Sequence, residues 1–82
     1  MYKNRAGDGK NNLCGRNVRV LRLLMRPNVS QRALAERMRG VGVDIDKNAV
    51  QRIESGQRFV TDIELIALSR VFGVSTDDLI KQ

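Results

Sequence analysis

Apolar and polar positions along this 82-residue chain recur at the spacing of helices. Val18, Leu21, Leu24 and Met25 fall three and four residues apart before Pro27 ends the run, which predicts a first helix with those side chains inward. Downstream, one local device appears four times: a branched apolar residue, a capping residue, three further positions and a second apolar residue. It reads VSQRAL at 29–34, IDKNAV at 45–50, VTDIEL at 60–65 and VSTDDL at 74–79. This is the hydrophobic staple, in which the residue before the N-cap packs on the fourth residue of the helix. Ser30, Asp46, Thr61 and Ser75 then accept bonds from free backbone N–H groups, so four more helices begin there. Thr61 and Glu64 complete a capping box, and Asp62, Glu64, Asp77 and Asp78 sit at the positive ends of their helix dipoles.

Leu34, Ala35 and Met38, then Val50 and Ile53, then Leu65, Leu68 and Phe72, then Leu79 and Ile80 supply the inward faces. Gly56 and Gly73 end the third and fourth helices, where a left-handed backbone is wanted. The stretch RGVGVD between Met38 and Ile45 reads as a glycine-bearing loop, so the second helix is expected to end at Met38. No alternating apolar and polar strand of useful length occurs, and the fold class is all-α with five short helices. The opening MYKNRAGDGKNN is polar, holds two glycines and shows no periodicity. It predicts a flexible arm over residues 1–14 ahead of a single domain over residues 15–82.

A domain of this length builds a core of modest size, and a partner subunit often helps such a domain. Cys14 is the only cysteine and histidine is absent, so no disulfide framework and no Cys/His zinc site can form within one chain. Cys14 reads as a small side chain in a reducing cytoplasm, and no metal or cofactor is expected. The longest apolar runs, such as LLM and LIAL, fall far short of the roughly 20 residues of a membrane span. No apolar segment follows the basic start, as a signal peptide requires, so a soluble cytoplasmic protein without a membrane role is expected.

Charge changes the picture through its placement. Residues 1–28 hold Lys3, Arg5, Lys10, Arg16, Arg19, Arg22 and Arg26 against Asp8 alone, while residues 29–82 balance eight basic with eight acidic side chains. The whole net charge of +6 therefore lies in the arm and the first helix. A basic end of this kind favours a polyanion, usually nucleic acid; a solvated basic tail is the plain alternative.

The third helix sharpens that choice. On a helical wheel Val50, Ile53 and Ala49 lie on one side, while Asn48, Gln51, Arg52 and Ser55 fall opposite, with Lys47 at the exposed first turn. Lys and Arg donate to guanine O6 and N7, and Asn and Gln pair with adenine, so this face holds the side chains that read a major groove. A surface helix of any basic protein can show the same residue types. A capped helix, a loop and a second short capped helix with a polar outer face nevertheless match a helix-turn-helix, whose second helix enters the groove.

These residues resemble the phage-repressor-like helix-turn-helix regulators, the Xre family. The resemblance covers residues 15–80 and is carried by GRNVRVLR at 15–22, SQRALAERM at 30–38, VQRIESGQR at 50–58 and TDIELIALSRVFGVSTDDLI at 61–80. It implies a compact, lambda-repressor-like five-helix domain that acts as a homodimer on inverted-repeat operators in double-stranded DNA and regulates transcription. It maps the groove-reading positions to Lys47, Asn48, Gln51 and Arg52. Gln31 matches the polar residue that meets a backbone phosphate and braces the reading side chains, and Arg58 matches a loop position that touches the backbone. For Glu54 the resemblance implies a structural ion pair with Arg22. Arg19, with the arm's Lys3, Arg5 and Lys10, is a backbone candidate on charge alone.

Two features depart from the family pattern. Seven residues, 39–45, separate Met38 from the cap Asp46 where about four are usual, and Arg39 is a phosphate candidate within that longer connection. RPN at 26–28 lengthens the first connection. The leading expectation is a sequence-specific regulator that represses by occluding a promoter, which needs no second domain. The alternative is a protein-interaction module, as in antitoxins that share this fold, with Val71, Leu79 and Ile80 as core, dimer seam or partner surface. An enzyme is not expected, because no nucleophile motif, metal cluster or phosphate loop is present and catalytic residues cannot be named. Of the three aromatics, Tyr2, Phe59 and Phe72, the two phenylalanines read as packing, which leaves no stacking platform for single-stranded RNA.

Overall fold

A computed structural model describes residues 9–81. Five helices follow one another: α1 (Gly15–Leu24), α2 (Gln31–Gly40), α3 (Lys47–Ser55), α4 (Asp62–Phe72) and α5 (Thr76–Ile80). Among the described residues there is no strand. The four staples mark the starts of α2 to α5, and each cap is made: Ala33 N–H donates to Ser30, Ala49 N–H to Asp46, Glu64 N–H to Thr61 and Asp78 N–H to Ser75. Asp78 also accepts from the Ser75 N–H, so α5 carries a second capping box beside that of Thr61 and Glu64. Gly56 and Gly73 take the left-handed conformation at φ 82° and 68°, closing α3 and α4.

The core joins Val18 of α1, Leu34, Ala35 and Met38 of α2, Val50 and Ile53 of α3, Ala67 and Leu68 of α4 and Leu79 of α5. Val29 and Ile45, which precede caps, are buried with them, while Val60 and Val74 are half-buried. Cys14 is sealed in this cluster, and burial pushes its thiol pKa up to about 11. Among the described residues no helix is long and apolar enough to cross a membrane.

Four expectations are corrected. The second helix continues through Arg39 and Gly40, so the connection to α3 begins at Val41; Gly42 turns it at φ 93°, and Val43 and Ile45 tuck into the core. Leu24 is 64% exposed and Ile80 37%, because Arg22 takes an inward position on α1 and Leu79 alone fills the α5 site. Phe59 is 51% exposed and is not a packing residue.

Of the arm expected over residues 1–14, residues 1–8 lie outside the described residues, and residues 10–12 are hydrogen-bonded to the end of α3 and the turn after it. Asn11 N–H donates to the Gly56 carbonyl at 2.8 Å and its amide to the Gln57 carbonyl at 2.8 Å. The Asn12 amide donates to the carbonyls of Ile53 and Arg58 at 3.1 and 2.8 Å, and its oxygen accepts from Gly15 N–H at 2.7 Å. Lys10 Nζ reaches the Ser55 carbonyl at 3.1 Å. Lys10–Asn12 is thus a strap across the C-terminal end of α3, bonding the Ser55 carbonyl of its last turn, the Ile53 carbonyl that Gly56 N–H also reaches, and carbonyls of the turn that follows. Its signal is polar and aperiodic, so hydrophobic patterning passes over it.

Candidate nucleic-acid interface

The α3 helix is held from below and at both ends. Val50 and Ile53 are 1% exposed and anchor it against α1 and α2. Asp46 caps the N-terminus, while Gly56 and the strap close the C-terminus. At the crossing with α1 no space remains: a Cβ on Gly15 would collide with the Ile53 carbonyl oxygen. A side chain on the outer face of α3 therefore projects from a fixed backbone.

That outer face carries Lys47, Asn48, Gln51 and Arg52, all exposed. Among the described residues their side chains make no hydrogen bond and no ion pair, so their donors and acceptors stay available. Lys47 occupies the first turn of a helix whose first turn holds no acid. A cation there opposes the helix dipole by a few tenths of a kcal/mol, a local conflict of the kind that marks a functional position.

The helix starts divide into two sorts. The first turns of α4 and α5 carry Asp62 with Glu64 and Asp77 with Asp78. Those of α2 and α3 carry no acid, and Arg32 and Lys47 stand there instead. At α3 the Asp46 carboxylate already caps the positive end of the dipole, whereas the Ser30-capped start of α2 leaves it for an external anion such as a phosphate.

Behind the face lies a buried polar brace. Arg22 Nε donates to Glu54 Oε2 at 2.6 Å and Arg22 Nη2 to Oε1 at 2.9 Å, while Nη1 donates to the Val29 carbonyl at 3.0 Å. The Gln31 amide also donates to Glu54 Oε1, at 3.1 Å. Glu54 thereby ties α1, the start of α2 and α3 together. Gln31 braces α3 through Glu54, and among the described residues it makes no bond to Lys47, Asn48, Gln51 or Arg52. The hydrogen bonds that Arg22 donates to Glu54 further raise its pKa, and it stays charged.

The remaining backbone candidates fall into two shallow grooves and one pinned position. Arg19, Gln31, Gln51 and Ser55 line one groove with Glu54. Arg39 and Lys47 share another with Arg32 and Glu36, between α2 and the start of α3. Arg39 makes only a loose 3.7 Å contact with the exposed Asp44, which leaves it free to move. Arg32 was missed by sequence reasoning, although its seven-residue spacing from Arg39 puts the two on one face of α2. Arg58 is engaged elsewhere: Nη1 and Nη2 grip Glu64 Oε1 and Oε2 at 2.8 and 2.9 Å. Burial opposes ionisation of Glu64, yet the Arg58 guanidinium and the Thr61 N–H hold its carboxyl below the usual range.

Among the described residues no cluster of metal-ligating side chains occurs. The helix-turn-helix family model matches residues 19–79, from within α1 to α5. No curated protein and no solved structure matches the chain. On the family match, which takes in every helix from α2 to α4 whole, the chain belongs to the helix-turn-helix family of phage-repressor-like DNA-binding regulatory domains.

Proposed function

We propose that the chain is a sequence-specific repressor that binds an inverted repeat in double-stranded DNA as a homodimer. In this reading α3 enters the major groove, with Lys47, Asn48, Gln51 and Arg52 meeting base edges. Gln31, Arg19, Arg39 and Arg32 meet phosphates along the rims, and Arg58 offers the backbone the N–H groups that Glu64 leaves unused. The observation that carries the reading is the outer face of α3. Four unpaired hydrogen-bonding side chains stand on a helix anchored at both ends, beside the acid-free start of α2.

The homodimer is supported by α4. Its outer side exposes Ile63 and Ile66, at 68% and 46%, between Asp62 and Arg70. A face that is apolar at its centre and carries one charge of each sign complements itself across a twofold axis, because Asp62 of one copy can face Arg70 of the other. Leu79, one of the seam residues weighed from the sequence, is fully buried and belongs to the core.

Selection from a randomised duplex library at near-physiological salt, with the stoichiometry of the recovered complexes, tests this reading. Two chains on half-sites about one helical turn apart are expected. Salt-sensitive retention without any enriched sequence would contradict it.

A further inference from the structure

We infer that the outward face of α1 is a docking surface for an acidic amphipathic helix of another protein. Arg16, Val20, Leu23 and Leu24 follow at helical spacing on the side of α1 turned away from the core. Val20 and Leu23 are each 48% exposed and Leu24 is 64% exposed. The inward side of the same helix is already spent on Val18 and on the brace of Arg22 with Glu54. A short helix that is apolar on both sides has a second surface to cover.

Charge decides between occupants. Arg16 stands at the N-terminal end of the aliphatic patch, Arg19 borders it, and Arg26 closes the end of α1 by donating to the Leu23 and Met25 carbonyls. No acidic residue occurs between Asp8 and Glu36, and none of these three arginines makes an ion pair among the described residues. Of the acids on packed neighbours, Glu54 of α3 is taken by Arg22 and Gln31, Glu64 of α4 by Arg58, and Asp78 of α5 by its capping box. In the antiparallel twofold pairing of two copies through α1, Arg16 of one copy would face the Arg26 end of the other, and like charges would oppose contact. The neutral α4 face lacks this obstacle. The surface on α1 therefore fits a helix that brings leucines or phenylalanines at i, i+3, i+4 and i+7, flanked by Glu or Asp. It is separate from the four reading side chains of α3 and meets the proposed DNA rim only at Arg19.

The test is an NMR titration of the full chain, isotope-labelled, with a synthetic Leu/Glu amphipathic peptide of about four turns. The comparison probes are the same peptide with Lys for Glu, and phosphatidylcholine vesicles containing phosphatidylglycerol. The expected result is saturable shifts of the Arg16, Val20, Leu23 and Leu24 amides with the Glu peptide alone. Affinity should fall about tenfold or more in Val20→Asp/Leu24→Asp. Arg16→Glu, a surface change that leaves the aliphatic patch intact, should weaken the Glu peptide and admit the Lys peptide. The DNA sequence preference, which rests on α3, should be unchanged in both variants. The inference is overturned by shifts confined to α3 or α4, by equal binding of the Lys peptide, by no binding, by vesicle binding through α1 without peptide binding, or by a homodimer that Val20→Asp/Leu24→Asp dissolves.

Discussion

The amide of Asn12 donates to the carbonyl of Ile53 at 3.1 Å, so a residue preceding α1 completes the C-terminal end of α3. The same amide reaches the Arg58 carbonyl at 2.8 Å, and the side-chain oxygen holds the first N–H of α1. Asn12→Ala strands these groups at a half-buried site and should cost about 1–3 kcal/mol in urea unfolding. Gly15→Ala, which forces a Cβ against the Ile53 carbonyl oxygen, should also destabilise, by roughly 1–3 kcal/mol. A wild-type midpoint for Asn12→Ala would show that the strap contributes nothing to the fold.

Glu54 lies at the centre of the polar brace. Its side chain is 4% exposed and that of Arg22 is 11% exposed, so removing one partner leaves a buried charge. Glu54→Ala should cost about 3–5 kcal/mol, whereas Arg22→Met with Glu54→Leu should fall much closer to the wild type. Denaturant melts of the single and double variants measure the difference. A double variant as unstable as Glu54→Ala would mean that the pair is worth more than apolar packing.

Much of this architecture is legible along the chain because its causes are local. A cap and a staple occupy six consecutive residues, so Ser30, Asp46, Thr61 and Ser75 announce their helices without knowledge of the fold. The outer face of α3 follows from helical spacing once Val50 and Ile53 face inward. Contacts distant in sequence are not legible in this way. Nothing in the aperiodic stretch around Asn12 points to Ile53, 41 residues away. A wheel of α1 cannot decide whether Arg22 or Leu24 turns inward until Glu54 supplies the buried partner. The pairing of Arg58 with Glu64 also escapes local reading, since Glu64 already has a sufficient local explanation as the capping-box residue of α4.

Acid should weaken the fold partly through Glu64. Its carboxyl titrates below the ordinary value of 4.5, so the unfolded chain takes up the proton first as pH falls. The associated stability is fully present above pH 4.5 and is lost as pH drops through the lower folded value. Glu64→Gln keeps the cap donor's partner but removes the charge facing Arg58. It should be less stable at pH 7, by roughly 1 kcal/mol, and should show a shallower loss between pH 5 and pH 3. Parallel acid limbs for the two proteins would remove Glu64 as a source of the pH dependence.

The central claim is that the outer face of α3 reads bases, and the most direct measurement is the specificity ratio of Asn48→Ala and Gln51→Ala. Binding of each variant is compared on a selected duplex and on an unrelated duplex at one salt concentration. Base contacts predict a loss of about 1–3 kcal/mol on the selected duplex, with affinity for the unrelated duplex unchanged. Equal losses on both duplexes would contradict base reading and leave these side chains as backbone contacts.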